Sequence, residues 1–308
     1  MELGRIRIGI DIGGTNIELA AISDTAESNA DVKHLHKAYP YGAVCEELCI
    51  FLRNSIDELL RSIDESYEAV VSVGIAMPGA LDLVQGRILH AYNLNLHNTE
   101  IIGSMKALLP NTVFTLINDA DAAALGELKF GALRGIKNGC LITLGTGVGS
   151  GLIINGNIYQ GGMKRGSEFG HMTLKLHGKA CTCGNTGCVE TECSGTALAL
   201  AASNAFGEAV TAKELIGRAK HGDKTALKVF DEYTESLSSA IASYAALLDP
   251  ERVVIGGGVS LAGELLFNAI KAKAAQKCFF NPICDIVPAM LHDKAGAIGA
   301  AFAPTHMS

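Results

Sequence analysis

Near the start of the chain Ile6, Ile8 and Ile10 alternate with Arg5, Arg7 and Gly9. After Asp11-Ile12-Gly13-Gly14-Thr15 the alternation resumes through Ile17, Leu19 and Ala21. A period of two on both sides of a glycine turn predicts a strand, a turn and a second strand. The same unit recurs where Cys140 to Leu144 runs into Gly145-Thr146-Gly147-Val148-Gly149-Ser150-Gly151 and leaves through Leu152-Ile153-Ile154. Two hairpins, each with a threonine in its glycine turn, mark an internal repeat at the scale of a domain. Between them Leu48, Leu52, Ile56, Leu59 and Ile63 recur at steps of three or four, the stripe of an amphipathic helix, and Ala69 to Ala76 reads as a buried strand.

Val113 to Ile117 predicts a further strand, ending at Asn118-Asp119-Ala120-Asp121, where the alanine-rich stretch Ala122 to Leu128 starts a helix. Farther on, Leu227, Phe230, Leu237, Ile241, Tyr244 and Leu248 line one face of a long helix that Asp249-Pro250 stops. Val253 to Ile255 then runs as a strand into Gly256-Gly257-Gly258, and Ala295 to Ala303 predicts a closing helix. The order of strands and helices gives an α/β fold in two related lobes, whose glycine turns would lie on either side of a cleft. The expected division is residues 1–118 and 119–292, with a C-terminal helix over about 293–308 packing back on the first lobe. No proline-rich or serine-rich linker separates the halves, so the crossing is expected as a continuous segment near 118–135, with hinge motion built into packed elements.

Composition narrows the class. A chain of 308 residues suits two domains, and 48% hydrophobic against 19% charged residues suits a compact protein with no membrane-length apolar run. The net charge of -7, from 25 basic and 32 acidic residues, argues against a nucleic-acid-binding face. Nine cysteines form an odd set and Met1 to Arg7 lacks the apolar core of a secretion signal, so a reducing cytoplasm is expected. Cys45, Cys49, Cys140, Cys193, Cys278 and Cys284 sit mostly among apolar neighbours and read as small core residues.

His171 is followed by Cys181, Cys183 and Cys188, with glycines at 184 and 187 that let a short backbone wrap an ion. One imidazole and three thiolates close a tetrahedral zinc shell with no position left for a reacting water, so the metal would be structural. In the two glycine loops, absent side chains let backbone amides approach phosphate oxygens, and a threonine hydroxyl adds a donor; neither is a Walker loop, because the lysine is missing. Asp119, at a strand end beside Asn118, could take a proton from an attacking hydroxyl; either residue could equally be a helix N-cap, and Asp121 suits a capping or first-turn role. Glu168 and Glu190 flank the ligand set. A zinc-bound imidazole keeps one nitrogen for a hydrogen bond, so His171 could hold metal and touch a sugar hydroxyl at once.

Together these motifs resemble the ROK family of bacterial sugar kinases and sugar-responsive repressors, within the actin-like and hexokinase-like (ribonuclease H-like) ATPase superfamily. The likeness spans nearly the whole chain, and Gly170-His171 through Cys181-Thr-Cys-Gly-Asn-Thr-Gly-Cys-Val-Glu190 carries most of it. The resemblance implies an ATP-dependent hexose kinase with Asp119 as general base. It places Gly79, Asn118, Glu168, His171 and Glu190 at the sugar, with Asn93 on an adjoining wall. It puts ATP on Asp11, Gly13, Gly14 and Thr15, on Gly145, Thr146 and Gly147, and on Gly256, Gly257 and Gly258. Magnesium would be held mainly by ATP and waters, zinc by His171, Cys181, Cys183 and Cys188, and the active form would be a homodimer.

Two features set the chain apart. Many members have Pro-Asn-Leu where this chain has Tyr92-Asn93-Leu94, and Glu190-Thr-Glu-Cys-Ser-Gly195 is closer to the D-allose kinases than to the glucokinases, with Cys193 and Ser194 as the distinguishing pair. The rival reading is a sugar-sensing transcriptional regulator without catalysis. Such proteins carry a DNA-binding helix-turn-helix ahead of the first glycine hairpin, and only ten residues precede Asp11 here.

Overall fold

The computed structural model describes residues 5–280 and 282–304. The first alternating run forms β1 (Ile6–Ile12), which turns at residues 13–15 into antiparallel β2 (Asn16–Ser23), followed by β3 (Lys33–Ala38). The chain continues through α1 (Cys45–Arg61), β4 (Val70–Met77), the small meander β5 (Ala80–Asp82), β6 (Arg87–Ala91) and β7 (Leu96–Thr99), then α2 (Ile101–Leu108), β8 (Val113–Asn118) and α3 (Asp119–Phe130). The second hairpin is β9 (Gly139–Leu144) with β10 (Val148–Ile154), followed by β11 (Asn157–Ile158), α4 (Glu190–Cys193), α5 (Gly195–Phe206) and α6 (Ala212–Lys220). After α7 (Lys224–Leu248) come β12 (Arg252–Gly256), α8 (Glu264–Lys277), β13 (Asp285–Pro288) and α9 (Ala295–Ala301).

One sheet has the order β3-β2-β1-β4-β8 and another β11-β10-β9-β12-β13. In each, the first hairpin strand pairs antiparallel with its sequel and parallel with a later strand, which pairs parallel with the next: β1 with β4 and β8, β9 with β12 and β13. The repeat read from alternation is therefore a repeat of topology. Its parallel pairs require crossovers, which α1, α2, α7 and α8 help supply.

Two compact units result: the described residues of Met1–Arg134, Ile158–Gly166 and Leu291–Ser308, and Gly135–Asn157 with Ser167–Met290. The chain passes between them after Arg134, Asn157, Gly166 and Met290. Helix α3, expected with the second lobe, groups with the first because α9 lies directly on it: a Cβ at Gly126 would strike the backbone of Ala295, and one at Gly299 that of Ala122. The expected C-terminal helix is α9, whose observed end is Ala301; residues 305–308 of that expectation lie outside the described residues.

Alternation along β1 and β2 separates two faces. Ile8, Ile10, Ile12, Ile17 and Leu19 pack with Leu48, Leu52, Ile56 and Leu59 of α1. On the opposite face Gly9 and Gly74 let α9 approach the sheet so closely that added Cβ atoms would run into the carbonyls of Ala297 and Ala300. Ile63 lies past the end of α1 and is only partly buried. In α7, Phe230, Leu237, Ile241 and Tyr244 are buried as expected, but Leu227 is 39% exposed. Ala226, one position earlier and so 100° around the helix, takes the core position, joined by Val229 and Tyr233. Asp249 ends α7 in the left-handed region at φ 44°, and Pro250 cannot continue it. Among the described residues no helix is long and apolar enough to cross a membrane.

Candidate functional site

Asp11 and Asp119 stand at the carboxyl ends of β1 and β8, the position where α/β sheets present groups to ligands, with β4 between the two strands. Asn118 is the N-cap of α3: its Oδ1 accepts the N–H groups of Ala120 at 2.9 Å and Asp121 at 3.3 Å. Asp119 is thereby released from capping. Its own Oδ1 accepts the Ala120 N–H at 2.8 Å, which orients the carboxylate. Burial raises the Asp119 carboxyl above the usual carboxylate range, and the Ala120 N–H partly offsets this. Asp121 is buried in the first helical turn. Burial, followed by the charges of Asp119 and Glu18, pushes the Asp11 carboxyl up to about 8.

The first glycine turn closes through Gly13 N–H to Asn16 O at 2.9 Å, and Tyr39 N–H reaches Thr15 O at 2.8 Å. A Cβ on Gly14 would lie 3.8 Å from that of Asn93, so the turn and the Tyr92–Leu94 segment adjoin. The exposed Tyr92 ring lies 4.9 Å from that of His90 and 5.7 Å from that of His97. Gly79, at φ 95°, passes so close to the His90 carbonyl that no side chain would fit, and any contact it makes with a ligand is through its backbone.

In the second unit the four expected metal ligands converge, their ligand atoms all within 4.8 Å of one another. Cys181 Sγ is 3.7 Å from His171 Nδ1, and Cys183 Sγ is 3.7 Å from Cys188 Sγ. Thiolates at two corners of a tetrahedral zinc shell stand roughly 3.8 Å apart, so the donor set and spacing fit that ion. Backbone bonds from Cys181 N–H to Asn185 O, 2.8 Å, and from Gly184 N–H to Cys181 O, 3.0 Å, fold the turn that presents the thiols. With Nδ1 toward Cys181, Nε2 of His171 is the nitrogen available for a further partner.

Glu190 joins this cluster to the second glycine hairpin. Its Oε2 accepts the Val148 N–H at 2.9 Å and its Oε1 lies 3.9 Å from Cys181 Sγ; a side chain at Gly147 would collide with it. The loop is fixed from its other side as well. Gly145 N–H bonds Gly147 O at 3.0 Å, Gly195 N–H bonds Gly145 O at 2.7 Å, and Thr196 Oγ1 donates to Thr146 O at 2.7 Å. Gly257 passes against Leu144 O, bringing the Gly256–Gly258 turn to the same loop. Glu168 is exposed just before the short helical turn Phe169–His171. Sequence reasoning missed Gly195 and Thr196, whose only signal was a serine N-cap placed directly before them. It also missed Glu18, a polar position within the alternating run of the second strand. Cys193 and Ser194, the pair resembling allose kinases, have structural tasks: Cys193 is fully buried and Ser194 caps α5 through Ala197 N–H at 3.0 Å.

The family model described as ROK family matches residues 7–305. A glucokinase from Halalkalibacterium halodurans is 35% identical over 279 residues, 86% of this chain and 83% of that one. A ROK hexokinase from Thermus thermophilus superposes with a TM-score of 0.86 at 28% identity, covering 96% of each chain. A ROK family glucokinase from Streptomyces griseus, solved in complex with glucose and AMPPNP, superposes with a TM-score of 0.79 at 29% identity, covering 96% of this chain and 98% of that one. The α/β fold expected from the motifs is thus the fold of ROK hexokinases, and the chain belongs to the ROK family.

Proposed function

We propose that the protein is an ATP-dependent kinase that phosphorylates a hexose at its primary hydroxyl, with Asp119 as general base. The observation that carries this reading is the division of labour at the end of β8. Asn118 caps the helix, leaving a half-buried carboxylate that is oriented by one N–H and whose proton affinity burial raises above its ordinary value. The likeness to a glucokinase and to a ROK glucokinase crystallised with glucose and AMPPNP supports the substrate classes.

Asp119 takes the proton as the sugar oxygen forms its bond to the γ-phosphorus and the bond to the leaving ADP oxygen breaks. Magnesium, held mainly by the nucleotide and waters, would supply charge neutralisation at the phosphates. Gly13 and Gly145 commit their N–H groups to their own turns, so phosphate donors come from Gly14, Thr15, Thr146 and Gly147. Hydroxyl recognition falls to Asn93, Asn118, Glu168, His171 and Glu190, polar groups that suit a ligand whose specificity lies in its hydroxyls. Zinc would be held by His171, Cys181, Cys183 and Cys188 and would supply no chemistry, its role being to fix His171 and the chain leading to Glu190.

The test is a coupled ATP-to-ADP assay with magnesium across glucose, allose, mannose, fructose, N-acetylglucosamine and N-acetylmannosamine, each against a no-sugar blank. Sugar-dependent turnover, with glucose the first candidate, is the expected result. Folded, zinc-loaded protein that turns over none of them, or hydrolyses ATP equally without sugar, would overturn the reading.

A further inference from the structure

Three polar side chains form a ladder across the first hairpin and its neighbour. Asp11 on β1 is directly opposite Glu18 on β2, and Glu18 is directly opposite His36 on β3. Residues opposed in this way share a face of the sheet, here the face covered by α9, where Gly296 abuts the Asp11 carboxylate. Two carboxylates opposed on neighbouring strands repel, and the fold holds the second one firmly. His36 Nδ1 hydrogen-bonds Glu18 Oε2 at 3.1 Å, whereas His34 Nδ1 lies 3.3 Å from Oε1 without a hydrogen bond to it. His34 is itself tied through Nε2 to Asn29 Oδ1 at 3.3 Å. The Glu18 side chain is only 13% exposed, so its charge is poorly screened by water.

We propose that Glu18 is a positioning residue for Asp11: held by His36, its carboxylate faces Asp11 across the hairpin and biases the charge state in which Asp11 meets the nucleotide. The consequence for ATP rests on the reading that the Asp11–Thr15 turn receives phosphate, since an ionised carboxylate there repels phosphate oxygens until a proton or cation neutralises it. The groups that bear on the ladder are Asp119 at the start of α3, His34 and His36 on β3, and Asp293 and Lys294 in the turn before α9. Burial first, then Lys294, lowers His34 to about 4, so it faces Glu18 as a neutral ring at physiological pH; Asp293 opposes the Lys294 effect. Burial raises Glu18, and His36 draws it back toward the ionised form. Asp119 and Glu18 are the charges that raise Asp11.

The experiment follows the Asp11 carboxyl by carbon-detected NMR titration, beside the pH profile of kcat/KM for ATP, in wild-type protein, Glu18→Gln and Glu18→Thr. Gln removes the charge and keeps the shape, and Thr keeps a strand former should Gln fold poorly. Asp119→Asn serves as the positive control for the titration. Losing the Glu18 charge is expected to move the Asp11 midpoint, and the limb of the profile that follows it, to lower pH by about one unit, a tenfold change in the proton equilibrium. A midpoint that stays in place in both Glu18 variants while Asp119→Asn moves it overturns the inference. A midpoint that moves in a protein that phosphorylates no sugar upholds the Asp11–Glu18 coupling and sinks the kinase reading instead.

Discussion

Glu190 accepts the Val148 N–H at 2.9 Å while its other oxygen sits 3.9 Å from Cys181 Sγ, so one carboxylate links the Cys/His cluster to the second glycine loop. A charge-assisted hydrogen bond of this kind contributes about 1.5–3 kcal/mol. Glu190→Ala is therefore expected to raise KM for both sugar and ATP by about tenfold or more. Steady-state kinetics that leave both constants unchanged would show that the link has no functional part.

Asp119→Asn keeps the shape and the Ala120 contact but removes the base. Turnover should fall by about 10²–10⁴, the usual worth of a general base, with sugar binding within a few-fold of wild type. Isothermal titration with sugar, set beside kcat, separates the two; a variant that turns over at near wild-type rate would remove Asp119 from the chemistry.

Zinc should be detected by metal analysis at one ion per chain and lost in Cys183→Ser. Zinc binds its cysteine ligands as thiolates and must displace their protons, so binding should strengthen as pH rises. Removal of the ion is expected to lower Tm and raise the sugar KM, because the ligand set that fixes His171 and the approach to Glu190 is released. Unchanged sugar KM in verified zinc-free protein would break that coupling.

Gly9 and Gly74 sit beneath the backbone of α9 with no room for a methyl group. Gly9→Ala should destabilise the protein by about 1–3 kcal/mol, the range for overpacked cores, or more if α9 is lifted from the sheet. Denaturant titration measures the change. A variant as stable as wild type would mean that the close approach is not maintained in solution.

Asp11 titrates at about 8 in the folded protein, pushed there by burial and then by Asp119 and Glu18, against roughly 3.9 for an unfolded aspartate. The folded state thus holds the proton more tightly. The stability gained from this is full below about pH 4 and is lost as pH rises toward 8. Nucleotide-free protein should lose Tm between pH 5 and 8.5 more steeply than Asp11→Asn, and parallel Tm profiles would refute the assignment.

Local order was readable along the chain. The Ile6 to Ala21 alternation fixed both faces of the first hairpin, because a strand's side chains alternate whatever surrounds it. The Leu48 to Leu59 stripe fixed the buried side of α1 in the same way. The metal cluster was legible for a related reason: His171, Cys181, Cys183 and Cys188 are close enough in sequence for turns between them to bring the four ligand atoms together. In α7 the alanine at 226 hid the true register, since periodicity weighs large side chains while a core can take a small one.

What only the tertiary structure decided depends on elements distant in sequence meeting. The pairing of β1, β4 and β8 brings Asp11 within electrostatic reach of Asp119. The packing of α9 through Gly126 and Gly299 assigns α3 to the first unit, and the hairpin register sets Glu18 between Asp11 and His36. The sequence determined the repeat, the ligand set and the candidate base, because each is written in neighbouring residues. The charge on Asp11 and the company of α3 are properties of burial and register, and these exist only once the sheet has closed under its last helix.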